Sequence, residues 1–457
     1  MNMKGLSFMP MRRLQMSRMV RSTAKGLALS LPLLAGPSIV GGLIQGTTAL
    51  PVAGVAYAEE QAKEKPATRR TQALNNKVYE KLQAAQKAIE EKNVKEALSI
   101  LDDLQSAKKL NDYELANVLN LYAFIYYSQE NYAKAVDAYK KIIGLAEAPE
   151  GTVTQARYSL AQLYFVTEQY REGVDALKAW FAETESPGAS AYMLMAQGLY
   201  QLKDYNGALK NVETAISMYK ESGKVPKENW YGLQRFLYYE KDDFKKVIEI
   251  LDELLVYYPK KQYWIQLSAM WGELKNDSRQ LASLETAYVQ GLLDKDKELV
   301  NLTYLYMANE VPYKAAKVLD KAINEKKVEA TSKSLELLGN AWRAAQEVKK
   351  AIPEMAKAAS KSDSGDLWAR LCNIYLDNDE FKNAVEACDK GLAKGGVKRP
   401  DTAYLVKGMA YFNLKQYEAA RKAFLQAAKD ERSKSYADQW LKFMEKELER
   451  QRSLEEV

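Results

Sequence analysis

The sequence predicts an all-α fold: a right-handed superhelical solenoid of about ten helix–turn–helix units, closed by a C-terminal capping helix. Three observations predict it. Two columns of mostly small residues recur along the chain, always twelve positions apart. An aromatic residue follows the short turn inside many units, as Tyr132, Tyr170, Tyr205, Phe244, Phe381 and Tyr417. Helix-breaking residues are scarce, with 23 Gly and 12 Pro in 457 residues. A chain this long exceeds one ordinary core, whereas a solenoid grows by adding units.

The N-terminal residues 1–58 read as a secretory signal peptide. Lys4, Arg12, Arg13, Arg18, Arg21 and Lys25 give a positive start with no Asp or Glu, and Gly26 to Val55 is apolar and small. Ala56-Tyr57-Ala58 then supplies a cleavage site ahead of Glu59-Glu60. Pro32, Pro37, Gly41, Gly42, Gly46 and Pro51 interrupt the apolar run, which disfavours a membrane span. Cleavage after Ala58 predicts an exported protein; a retained segment would leave it anchored in the inner membrane. Residues 59–76, charged and carrying Pro66, read as a flexible leader.

Residues 77–432 hold the repeats. The first column runs Ala85, Ala123, Ala161, Ala196, Arg235, Ser268, Thr303, Gly339, Cys372 and Gly408. The second runs Ala97, Ala135, Gly173, Ala208, Val247, Gln280, Ala315, Ala351, Ala384 and Ala420. Small residues in both columns allow two helices to approach closely. Arg235, Val247 and Gln280 break the rule, so the central helix pairs are expected to splay or shift. No single pair can bury its own apolar face; stacked neighbours bury a continuous core, and the ends need caps. Residues 433–450 read as the capping helix, with Tyr436, Trp440, Phe443, Met444 and Leu448 on its dry side. Residues 451–457 are expected to fray.

Charge and composition exclude several functions. The net charge is +6, and the six basic residues before Glu59 account for all of it. The remainder is formally neutral, so no net field drives binding to nucleic acid or anionic lipid. Histidine is absent, which removes Ser-His-Asp and Cys-His catalysis and His-ligated metals. Phosphate-binding Gly loops, HExxH, CxxC and GxSxG are absent too. The chain therefore reads as non-catalytic, with no cofactor, no metal and no small-molecule substrate.

The chain's two cysteines, Cys372 and Cys388, fall in columns that face each other across one helix pair. A disulfide and a pair of buried thiols both fit that placement. Positions one and four beyond the first column, with nearby amides, give a candidate peptide-binding groove. Its members are Asn117, Asn120, Phe124, Tyr127, Gln155, Tyr158, Gln162, Phe165, Gln197, Tyr200, Phe236, Tyr239, Tyr304, Asn340, Arg343, Asn373 and Phe412. Aromatics supply contact area at low entropy cost, and amides satisfy a peptide backbone. The competing reading is that these side chains pack between helices. The aromatic stretch Trp230 to Trp271 divides the same way, between a docking patch and an expanded core.

The unit Tyr404-Leu405-Val406-Lys407-Gly408-Met409-Ala410-Tyr411, followed by Ala420 and Phe424, resembles a tetratricopeptide repeat, with Lys407 standing where a leucine is expected. The chain also resembles one particular group: exported gamma-proteobacterial tetratricopeptide proteins described as components of the TonB energy-transduction system. The segments that carry this are Leu110-Asn111-Asp112-Tyr113-Glu114, Tyr158 to Tyr164, Tyr263 to Leu274, Glu310-Val311-Pro312-Tyr313-Lys314-Ala315 and Tyr404 to Ala410. The resemblance implies a periplasmic protein-interaction scaffold, accessory to a machine that energises outer-membrane receptors, with TonB-complex components as partners. It implies no catalytic residues. The alternative is a holdase-like or cell-envelope assembly factor that binds unfolded outer-membrane or polysaccharide-export proteins.

Overall fold

The computed structural model describes residues 74–107 and 109–455. The expected signal peptide and the leader up to residue 73 lie outside the described residues. The chain forms two compact units, one ending at Tyr258 and one beginning at Pro259. All regular structure among the described residues is α-helical, as the repeat pattern predicts.

The N-terminal unit pairs α1 (Asn76–Glu90) with α2 (Val94–Ala107), α3 (Asp112–Ser128) with α4 (Tyr132–Ile143), and α5 (Glu150–Val166) with α6 (Tyr170–Glu183). It continues with α7 (Ala189–Gln201) and α8 (Tyr205–Glu221), then α9 (Glu228–Glu240) and α10 (Phe244–Tyr257). The C-terminal unit pairs α11 (Lys261–Glu273) with α12 (Asp277–Val289), α13 (Asp296–Ala308) with α14 (Pro312–Asn324), and α15 (Ser332–Ala344) with α16 (Val348–Lys361). It ends with α17 (Asp366–Asp377) and α18 (Phe381–Lys394), α19 (Pro400–Asn413) and α20 (Tyr417–Ala427), and the capping helix α21 (Glu431–Glu455).

Both small-residue columns lie inside the hairpins. Every first-column residue is buried, and in the second column only Gln280 is partly accessible. Sixteen residues after each first-column position stands a side chain no more than 2% exposed: Leu101, Tyr139, Leu177, Val212, Leu251, Leu284, Leu319, Met355, Cys388 and Phe424. Small and large thus interlock. A Cβ added at Gly408 would lie 2.5 Å from the Phe424 ring, and one at Gly339 would lie 2.6 Å from Met355. This volume matching turns two amphipathic helices into one packed layer.

The turn inside each hairpin repeats as well. Seven residues beyond the first column the backbone is left-handed, with φ of 56–64° at Lys92, Glu130, Glu168, Lys203, Asp242, Lys275, Glu310, Gln346, Asp379 and Lys415. The following N–H reaches back to a carbonyl of the first helix, as in Asn93 to Ala88 and Gln416 to Tyr411 (2.8 and 2.9 Å), which closes the helix end. The next helix then starts on a capping side chain where one is available: Asn131, Asp204, Asp243 and Asn276 each accept an N–H of its first turn. None of the ten left-handed positions is glycine. Lys415→Gly is therefore expected to stabilise the protein by about 1 kcal/mol, and Lys415→Val to destabilise it by a similar amount. Urea unfolding midpoints would check this; equal midpoints would count against strain at the turn.

Neighbouring hairpins are tied by polar contacts at about one repeat length. Asp112, Asp296 and Asp366 accept the backbone N–H of Glu147, Glu329 and Lys398 at 2.7, 3.3 and 3.2 Å. The hydroxyls of Tyr122 and Tyr238 donate to Asp102 and Glu213 on the preceding second helix.

Three expectations need correction. The α11–α12 hairpin does not splay: Ser268 Oγ donates to the Gln280 carbonyl at 2.8 Å across the crossing. Gly272 provides the room, since a Cβ there would lie 2.7 Å from Gln280 Nε2. The docked stripe of α21 is Ala437, Met444 and Leu448 with Trp440, which stacks on Phe424 at 5.7 Å. Tyr436, expected on that side, is 62% exposed, because it lies one residue round the helix from the stripe, whereas Phe443, 52% exposed, still sets its ring 5.5 Å from Phe412 at the edge of the contact. Residues 451–455 are helical instead of frayed; Gln451 donates to the Tyr417 hydroxyl at 2.9 Å and anchors the last turns.

Candidate protein-binding surface

The first helices of each unit carry the candidate groove residues, and packing claims several of them. Phe165 is 7% exposed, wedged between Gly173 and Gly198, where an added Cβ would meet its ring at 3.0 and 2.4 Å. Phe236 is 5% exposed and meets Tyr200 edge-on at 5.5 Å. Asn117 is buried and donates to the Tyr113 carbonyl at 2.7 Å, one helical turn back. These three belong to the core, not to an open groove.

The remaining aromatics are shared between core and surface. Tyr127, Tyr200, Tyr239 and Phe412 each sit four residues past the first column and meet the ring that opens the second helix. The pairs are Tyr127–Tyr132, Tyr200–Tyr205, Tyr239–Phe244 and Phe412–Tyr417, at 5.8–5.9 Å. The four rings brace the turn and stay half-buried. Burial, then the neighbouring Tyr132 and Tyr205 hydroxyls, push the Tyr127 and Tyr200 hydroxyls above their ordinary range, so both stay protonated donors at neutral pH. Tyr158 lies 4.8 Å from Trp180 and is half-buried.

The groups that reach solvent are mainly polar. In the N-terminal unit Gln155 and Gln162 are exposed, and Asn120, Phe124 and Gln197 are half-buried. In the C-terminal unit Tyr304 is 40% exposed and Arg343 is exposed, while Asn340 and Asn373 are half-buried. Asn373 donates to the Ala369 carbonyl at 3.2 Å, which leaves its side-chain oxygen free to accept. The first-helix faces therefore present amides and tyrosine edges over an apolar floor. The aromatic stretch follows the packing reading: Trp230, Tyr231 and Tyr263 are buried, and only the end of α10 shows large exposed groups, Val256 and Tyr257.

Cys372 and Cys388 are joined in a disulfide that is fully buried in the α17–α18 hairpin. Alkylating the unreduced, denatured protein is expected to label no cysteine, and prior reduction to label both; mass spectrometry reads the difference. Label on unreduced protein would contradict the bond. No group of three or more Cys, Asp and Glu among the described residues is placed to hold a metal ion.

One feature was not read from the sequence. A cleft of about 860 Å³ opens on the C-terminal unit, lined mainly by the second helices α12, α14 and α16, with Tyr306 and Trp342 at its floor. Lys314, Lys317 and Lys321 line its α14 wall at spacings that place them on one helical face. That spacing was visible in the sequence but is indistinguishable there from an ordinary solvated face.

Residues 370–436, covering the last two hairpins and the start of α21, match the family model described as tetratricopeptide repeat. Residues 370–436 carry tetratricopeptide repeats. The twelve-residue column spacing, left-handed turn and interlocked side chains of the matched hairpins recur in the other eight. Tetratricopeptide repeats bind proteins and peptides on the surfaces their stacked helices expose. No curated protein matches the chain in sequence. Among solved structures, a tetratricopeptide repeat protein from Parabacteroides merdae is similar at 13% identity and a TM-score of 0.36, over 63% of this chain and 94% of that one. MamA is similar at 19% identity and 0.32, over 38% and 94%. YrrB, described as a tetratricopeptide repeat protein with an unusual peptide-binding site, is similar at 15% and 0.32, over 45% and 91%.

Proposed function

We propose that this tetratricopeptide repeat protein is a non-catalytic periplasmic scaffold that binds other proteins through its first-helix faces, as an accessory of a TonB-type energy-transduction complex. The observation that carries the binding reading is the division of labour on those faces. Core aromatics are locked into the hairpins, while Gln155, Gln162, Gln197, Asn340 and Tyr304 keep polar groups at or near the surface. Within each compact unit, such amides and hydroxyls suit the backbone of an extended segment. The periplasmic part rests on the signal-like residues 1–58. The buried Cys372–Cys388 disulfide supports it, since such bonds persist in oxidising compartments. The TonB assignment rests on the sequence resemblance alone.

Affinity capture from crosslinked cell envelopes of iron-limited cells tests the proposal. Recovery of Ton components with the full chain is the expected result. Recovery of none would remove the TonB assignment, and broad capture of unrelated unfolded outer-membrane proteins would favour an assembly factor.

A further inference from the structure

The cleft on the C-terminal unit has a chemistry that the first-helix faces lack. Residues 314–361 carry eleven Lys and Arg against six Asp and Glu, in a chain whose remainder after the N-terminal segment is close to balanced. The ammonium groups are held in place by rings. Lys350 lies 4.7 Å from the Trp342 ring and 5.8 Å from that of Tyr313, Lys317 lies 5.9 Å from Tyr313, and Lys314 lies 5.8 Å from Tyr306. Tyr313 and Trp342 meet edge-on at 5.7 Å, and Tyr313 remains 46% exposed between the lysines. A lysine resting on an aromatic face has given up part of its rotamer freedom before any ligand arrives. Beside these cations, Val289 is 77% exposed and offers an apolar contact on the opposite wall.

We propose that this cleft is a docking site for an extended acidic protein segment carrying interspersed aromatic or aliphatic side chains. Carboxylates of the segment meet Lys317, Lys350 and Lys321, and its apolar side chains lie on Tyr313 and Val289. Charge complementarity selects the occupant. The cleft also holds Glu285, paired with Lys314 at 2.7 Å, Asp320, and Glu325, 3.7 Å from Lys321, while Lys350 lies 3.1 Å from Glu347; the Lys321 and Lys350 pairs are solvent-exposed and weak enough for a ligand carboxylate to exchange into. These carboxylates would repel the closely and evenly spaced phosphates of a nucleic acid. An acidic peptide can place its charges intermittently and avoid them. The site does not depend on the first-helix reading, and either can fail alone.

Fluorescence anisotropy with the full chain tests it. The probe is a short fluorescein-labelled peptide of Glu interrupted by Phe; the controls are the same peptide with Lys for Glu, and an oligothymidylate competitor. The expected result is binding of the Glu–Phe probe that weakens as salt rises. Lys317→Glu combined with Lys350→Glu, and separately Tyr313→Ala, are expected to weaken it about tenfold or more. Gln162→Ala with Tyr304→Ala, on the first-helix faces, is expected to leave it unchanged. Circular dichroism and unfolding midpoints establish that each variant is folded; the changed cleft side chains are all at least partly exposed. Failure of the probe to bind, equal affinity in folded cleft variants, equal binding of the Lys peptide, or full displacement by oligothymidylate would each overturn the proposal.

Discussion

Gly365→Ala is expected to destabilise the C-terminal unit by about 3 kcal/mol or more. The start of α17 crosses the end of α18 glycine on glycine. A Cβ at Gly365 would lie 2.0 Å from the carbonyl oxygen of Gly391 and 2.8 Å from its carbonyl carbon. In the other direction, a Cβ at Gly391 would lie 2.9 Å from the Gly365 oxygen and 3.0 Å from the Ala369 nitrogen. Both obstacles are backbone, so no side-chain rotation relieves the overlap and the helices must move apart. The Gly365 N–H also donates to the Gly395 carbonyl at 2.7 Å, a bond that the displacement would break. Gly232→Ala is the contrast: nothing lies within 4 Å of its added Cβ, and it is interior to α9. That change is expected to stabilise by about 1 kcal/mol. Urea unfolding of the two variants against the parent checks both signs, and a Gly365→Ala protein as stable as the parent would refute the close crossing.

Asp401→Ala is expected to cost about 3 kcal/mol and to loosen the capping helix first. Its side chain is 1% exposed although it sits at the start of α19. Arg399 clamps both of its oxygens, Ser433 Oγ donates to it at 2.7 Å, and Arg432 Nη2 lies 3.6 Å away. Arg432 and Ser433 belong to the first turn of α21, so one carboxylate fastens the cap to the last hairpin. Both arginines remain about half exposed, which keeps the figure at the low end for a broken buried pair. The Arg399 guanidinium, then the Ser433 hydroxyl and Arg432, hold the Asp401 carboxyl well below the usual carboxylate range. The folded group is thus the stronger acid. Its stabilisation is complete above about pH 4, the range of an unperturbed Asp, and is lost progressively as pH falls further. Hydrogen-exchange protection along α21, taken relative to the intrinsic rate at each pH, should fall in the parent in acid, and in Asp401→Ala it should already be low at neutral pH. Slow exchange in the variant would show that packing of Ala437 and Met444 alone holds the cap.

The hairpin register was legible in the sequence because it depends on volume. A small residue sixteen positions ahead of a large one is a one-dimensional signature of two helices crossing, and Gly408 with Phe424 shows it plainly. Face assignments were less legible, because one residue of error rotates a side chain by about 100°. That error placed Tyr436 against the core. The candidate groove suffered from a different ambiguity. An aromatic one turn beyond the crossing can serve a ligand or the ring that starts the next helix, and composition is the same in both cases. Tyr127, Tyr200 and Phe412 do the second job, and Phe165 fills the hollow left by Gly173 and Gly198. Gln280 shows the converse: its bulk announced a distorted pair, but the compensating Gly272 lies eight residues earlier and carries no mark of that role.

The Cys372–Cys388 bond also sets how the chain responds to tension. It closes a loop with a sequence separation of 16 residues. Stretched from its two ends, the oxidised polypeptide can pay out every hairpin except this one, so its full extension falls short of that of the reduced chain by about 50 Å. A protein attached at both ends to a machine that pulls would therefore carry one stitch that mechanical load cannot open and a reductant can.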